Sequence, residues 1–121
     1  IVDCLTLILD YYQQELNITI PNLDHPYRLI DDKSTHPDNN QIRPVLTEHF
    51  LNNNFIETNA LVKNAVLLMK SARILSPVHC AIYLGGEQIL HHPYKRKSTI
   101  EHYGISWKSR TTNILIHKSQ I

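Results

Sequence analysis

Two cysteines are too few for a disulfide framework, and two thiols suit either redox compartment. No apolar run approaches the roughly 18 residues a membrane-spanning helix needs, and no signal-peptide pattern is present. Charge is scarce and balanced. Twelve Lys and Arg stand against eleven Asp and Glu, and the net charge of +1 gives no bulk attraction for nucleic acid. Neither C-x-x-C nor H-x-x-x-H occurs, so the common zinc spacings are missing and no metal or other cofactor is expected. There is no internal repeat, low-complexity segment or linker. What is there is a 121-residue chain, 42% hydrophobic, long enough for one domain with a real core over residues 1–121. It opens at Ile1 already inside a helical pattern, as a piece cut from a longer chain would.

The most informative stretch is residues 78–92, VHCAIYLGGEQILHH. Val78, Cys80, Ile82 and Leu84 share one parity and are apolar, while His79, Ala81 and Tyr83 share the other. Such period-two alternation marks a strand with one buried face. Gly85-Gly86 supplies a turn tolerant of positive φ, and residues 88–92 return as the second strand. A histidine opens this hairpin and a histidine pair closes it. If the loop is Gly85-Gly86 alone, His79 faces His92. If the loop is odd in length, such as residues 85–87, Ala81 faces His91, and His79 and His91 lie diagonally on one face, within reach of each other. A one-residue slip exchanges the two candidates.

In chain order, residues 3–16 are the clearest helix. Leu5, Ile8, Leu9, Tyr12 and Leu16 form one apolar stripe, with Asp3 a candidate N-cap and Asn17 and Pro21 as stop signals. Cys4 falls in the first turn. The bland reading is a small buried hydrophobe. The functional one is a thiolate favoured by free helix N–H groups and the helix dipole. Residues 21–40 read as a long polar connection in which His25 and His36 are solvated. Residues 43–53 read as a shorter helix carrying a half-buried His49, residues 52–54 as a turn, and residues 65–70 as a buried strand with Met69 as core filler. Cys80 reads as plain core. Residues 93–97, PYKRK, form a basic loop, residues 98–107 a helix or helical turn with Glu101 in its first turn, and residues 112–117 a last strand. Helix first and antiparallel strands after is an α+β layout.

A cysteine at a helix start together with histidines on a sheet is an arrangement that cysteine hydrolases use. The thiolate attacks a carbonyl carbon, one histidine moves the proton, and a third polar group holds that histidine in its tautomer. Read together, two segments carry a specific resemblance. Asp3-Cys4 with the helix ending DYYQQELNI resembles the nucleophile helix of NlpC-type, papain-like cysteine peptidases, and most nearly the branch found in phage tail-tip assembly proteins. HCAIYLGGEQILHHP resembles that family's histidine hairpin, in which a second histidine follows the first by twelve residues. Here that is His91. The downstream HPYKRKS…EHYG…W is similar to the phage-tail branch as well. The resemblance spans residues 3–21 and 67–110.

The resemblance implies a papain-like fold in which the nucleophile helix packs on a small antiparallel sheet. It implies a cysteine peptidase that cuts peptidoglycan stem peptides, typically at a γ-D-glutamyl bond to the diamino acid. Cys4 would be the nucleophile, His79 the base and acid, and His91 the orienting group; Tyr83, His92 and Arg96 are candidates for substrate contact. The implied partners are peptidoglycan peptides and other phage tail proteins, and the implied place of action is a virion tail or the bacterial wall and periplasm. Three alternatives share these residues: another papain-like amidase or acyltransferase, a non-catalytic structural module of a phage tail or secretion apparatus, and a metal site built from Cys4, His79 and His91 or His92.

Overall fold

The computed structural model describes residues 3–23, 45–70, 79–92 and 97–121. Helix α1 (Asp3–Leu16) comes first. Leu5, Ile8 and Tyr12 are wholly buried, one turn apart on a single stripe. The helix stops at Asn17, which adopts φ +56, a left-handed conformation asparagine accepts more readily than most residues. The Ile18 N–H then turns back to the Tyr12 carbonyl at 3.0 Å and satisfies one of the carbonyls left over at the helix end. Helix α2 (Val45–Leu51) buries Leu46 and Phe50 against the same core. Half-buried His49 tethers it to the Pro21 carbonyl.

Among the described residues, six strands build one antiparallel sheet. Its strands are β1 (Phe55–Thr58), β2 (Val66–Met69), β3 (His79–Gly85), β4 (Gln88–His91), β5 (Thr99–His102) and β6 (Thr111–His117), in the order β1-β6-β2-β3-β4-β5. Central β2 has no exposed residue, which is why VLLM reads as an unbroken apolar run rather than an alternation. Val66 and Leu68 face α1 and α2, in a cluster with Cys80, Ile82, Phe55 and Leu115. Leu67 and Met69 face the other way, with Ala81, Tyr83, Ile89 and Tyr103. This is the expected α+β architecture, an N-terminal helix packed on an antiparallel sheet.

The β3–β4 register resolves the alternatives left open by the sequence. Ala81 pairs with His91, Ile82 with Leu90 and Tyr83 with Ile89; a shift then brings Gly85 opposite Gln88. Gly85, Gly86 and Glu87 all have positive φ, at +89, +59 and +59. Gly86-Glu87 is thus the two-residue turn, and Gly85 is an extra bulge residue that makes the connection odd in effect.

Two expectations need correcting. Residues 98–107 are not one helix. Thr99–His102 is edge strand β5, and a short helix α3 (Ile105–Arg110) begins only after Gly104. Pairing with β4 overrides the local helix signal: His91 lies opposite Thr99 and Ile89 opposite Glu101. Strand β1 was also not anticipated. Four residues with one buried side chain, Phe55, offer almost no pattern, and pairing with β6 makes the strand. The polar connection with His25 and His36, and the basic loop with Lys95 and Arg96, lie outside the described residues.

Candidate active site

The N-terminal turn of α1 meets the start of β3. Cys4 is nearly buried, and its side chain hydrogen-bonds to both Cys80 and His79. His79 is the first residue of β3, so its ring sits at the sheet's end, where a helix terminus can reach it. His79 Nε2 lies 2.9 Å from His91 Nδ1, with ring centroids 5.1 Å apart. The diagonal allowed by the bulged hairpin is therefore the one realised. His92 follows the last residue of β4, is half-buried and takes no part in that bond.

His91 has no exposed surface, so both ring nitrogens need partners within the protein. Nδ1 meets His79, and Nε2 meets Glu101 Oε1 at 2.9 Å. Trp107 closes the group from α3. Its ring lies edge-on to His91 at 4.8 Å and tilted against His79 at 6.0 Å, and its indole N–H donates a long hydrogen bond of 3.4 Å to Glu101 Oε2. Arg110 caps the outer side of the indole at 4.9 Å. Helix α3 is held in place by Lys70, the residue after β2: the Lys70 N–H donates to the Arg110 carbonyl at 2.9 Å, and Arg110 Nε donates to the Lys70 carbonyl at 3.1 Å.

Sequence reasoning placed Glu101 at a helix start and gave Trp107 no role. No local signal in Thr99–His102 marked the strand, because the one apolar residue there, Ile100, is exposed. In a strand paired with β4, Glu101 falls two residues from the partner of His91 and on the same face. Tyr83 is buried; its hydroxyl accepts from the Glu87 N–H at 2.9 Å, and its ring packs on Tyr103. It braces the hairpin turn from inside.

The environment sorts the two thiols in opposite directions. Cys4 is pulled down to about 4, chiefly by the hydrogen bond from the Cys80 thiol. Burial opposes this, while the hydrogen bond and charge of His79 and the Cys80 backbone N–H assist it. Cys80 is pushed well above the ordinary thiol value by burial and by the neighbouring Cys4. The surroundings therefore favour the thiolate at Cys4 and the protonated thiol at Cys80. Cys80, expected as plain core, does pack in the apolar cluster, but its thiol also touches Cys4. Among the described residues no group of three or more His, Cys, Asp or Glu could hold a metal ion.

A nearly buried thiol of lowered pKa at a helix start, an imidazole against it and a second imidazole behind the first have the geometry that nucleophile–base–orienter chemistry needs. The NlpC/P60 family profile matches residues 1–116. The chain belongs to the NlpC/P60 family. Members of this family are cysteine peptidases and amidases that act on peptidoglycan. A search of curated proteins finds no match to this NlpC/P60 chain.

Proposed function

We propose that this NlpC/P60 domain, a single unit over residues 1–121, is a cysteine endopeptidase of peptidoglycan stem peptides, cutting a γ-D-glutamyl bond to the diamino acid. The observation that carries the reading is the linked set Cys4–His79–His91, with a thiol of lowered pKa at one end and a 2.9 Å imidazole pair behind it.

His79 spends Nε2 on His91, so Nδ1 is the nitrogen left for the Cys4 proton. The thiolate attacks the scissile carbonyl carbon, and charge develops on the carbonyl oxygen beside the α1 N-terminus, where the Cys4 backbone N–H and the helix dipole favour an anion. His79 returns the proton to the departing amine, leaving an acyl group on Cys4 as a thioester. Water then attacks the thioester carbon, giving its proton to His79, and collapse releases the acid and restores the thiolate–imidazolium pair. His91 moves no proton; it keeps the His79 ring in place.

The substrate contacts proposed are His92, adjacent to His91, and Arg96 in the basic loop. Tyr83 is left out because its hydroxyl is committed to the turn. The HPYKRKS…EHYG…W segment supports a setting in a phage tail or prophage-like particle, with tail proteins as partners and the bacterial wall or periplasm as the place of action. The test is digestion of purified muropeptides read by mass spectrometry, with Cys4→Ala as control. Cleavage at the γ-D-glutamyl bond by wild type alone is the expected result. If no muropeptide is cut in a Cys4-dependent way, and Cys4→Ala still supports the parent particle, the domain is a structural module instead.

A further inference from the structure

Glu101 has no part in the three-residue scheme above, yet the hydrogen-bond chain from His79 runs through His91 to it. An ionised carboxylate can only accept, so His91 Nε2, 2.9 Å from Glu101 Oε1, must carry a proton. A neutral imidazole has one N–H, so His91 Nδ1 is then an acceptor. His79 must therefore donate from Nε2 across the 2.9 Å contact. A neutral His79 with its proton on Nε2 has a bare Nδ1, the nitrogen that remains for Cys4. One carboxylate thereby decides the tautomers of two rings and leaves the lone pair facing the nucleophile. Without it, His91 could hold its proton on Nδ1, and His79 would be driven to the tautomer that cannot act as a base.

We propose that Glu101 is a positioning residue acting through His91: it sets the tautomers of both histidines and balances the imidazolium formed when His79 holds the Cys4 proton. The proposal rests on the reading of Cys4 as nucleophile and His79 as base. The surroundings suit the task. His91 is wholly buried and the Glu101 side chain is only 31% exposed, so the charge acts through protein rather than bulk water. Trp107 covers both imidazoles and anchors the second carboxylate oxygen, so Glu101 is held at two points. Among the described residues, the groups against His79 are Cys4 from α1, His91 from β4 and Trp107 from α3, with Glu101 of β5 behind His91 and Arg110 behind Trp107.

The deciding experiment reads tautomers directly, by imidazole nitrogen NMR on the Cys4→Ala protein, where no thiolate charges His79. Both His79 and His91 should show the proton on Nε2. Adding Glu101→Ala should mix the tautomers of both rings. Adding Glu101→Gln should keep them, because the amide carbonyl accepts the same N–H. With Cys4 present, kcat on muropeptides should fall about tenfold or more in Glu101→Ala at unchanged KM, with Glu101→Gln in between because it restores the acceptor without the charge. Trp107→Phe, which removes the indole donor but keeps a ring, should leave the tautomers as they are. Unchanged tautomers in Glu101→Ala would overturn the proposal. If that variant does not fold, unchanged tautomers in Glu101→Leu, which keeps the bulk of the side chain but offers no acceptor, overturn it equally. The NMR measurement needs no wall substrate. A protein inert on every muropeptide but with tautomers governed by Glu101 would refute the substrate assignment and leave this inference standing.

Discussion

The two faces of the sheet differ in what they bury. Towards α1 and α2, Leu5, Ile8, Tyr12, Leu46, Phe50, Val66, Leu68, Ile82 and Leu115 form an almost purely apolar mass. On the opposite face the apolar cluster is smaller, and its neighbours are the chained polar groups His79, His91, Glu101 and Trp107. One face supplies cohesion, while the other supplies a site dry enough to make each hydrogen bond directional and costly to break. Strand β3 serves both because its alternation sends Cys80 and Ile82 one way and Ala81 and Tyr83 the other. Cys4 belongs by packing to the cohesive face, but the first turn of α1 places its sulfur against His79.

If this division holds, the largest loss of turnover comes from the groups that bridge the two faces. Cys4→Ala should bring muropeptide cleavage to background, since no other described thiol is placed to attack. His79→Ala should lower kcat by roughly 10²- to 10⁴-fold, the usual worth of a positioned general base. Both proteins should melt near the wild-type temperature. A melting point well below wild type in either would mean that the polar side also carries cohesion.

Leu68→Ala attacks the other side. Leu68 is wholly buried at the centre of β2, and truncation leaves a cavity that typically costs about 2–5 kcal/mol. The melting temperature should fall by roughly 4–8 °C for each kcal/mol in a domain near this size. Well below that temperature, the alkylation rate of Cys4 should match wild type. A large change in Cys4 reactivity without loss of fold would erase the distinction between the faces.

His91→Ala should leave partial activity, down about ten- to a hundredfold, because it orients the base and transfers no proton. His91→Asn should recover part of the loss, since its side-chain carbonyl can accept the His79 N–H. Steady-state kinetics should place the effect in kcat, with KM little changed. If His91→Ala is as dead as Cys4→Ala, His91 does more than orient.

How far the sequence could be read follows from the range over which each interaction acts. Helix α1 was legible because Leu5, Ile8 and Tyr12 repeat at the helical period, and β3 because its residues alternate. The His79–His91 pairing needed one further fact, the parity of the turn. That depended on Gly85 becoming a bulge, so the sequence pattern left His92 as a rival until a family spacing favoured His91. Glu101 was hidden for a different reason. Its segment has helix-compatible composition, and only pairing with β4 makes it a strand. The Cys80–Cys4 contact was out of reach as well: parity puts Cys80 in the core, but no local rule says which part of α1 passes over it.

The smallest effect on turnover is expected at Cys80, and it sharpens the comparison because this residue lies on the cohesive face while acting on the site. The Cys80 thiol is the largest influence lowering Cys4 to about 4. Replacing it with alanine removes that donor, so the Cys4 midpoint moves up towards the ordinary thiol value. The sign is settled by which form the donor favours: an S–H group hydrogen-bonds to the thiolate, and its loss destabilises the charged form. In wild type the rate of alkylation by iodoacetamide should be flat across neutral pH and fall only as pH drops through about 4. In Cys80→Ala the fall should begin at higher pH. His79 remains in place, so turnover at pH 7 should change by only a few-fold at most. Cys80→Ser, which restores a donor of nearly the same size, should return the midpoint towards wild type. A Cys80→Ala protein whose alkylation profile overlies that of wild type would show that Cys80 is core filling alone, and that the polar site draws nothing from the apolar face.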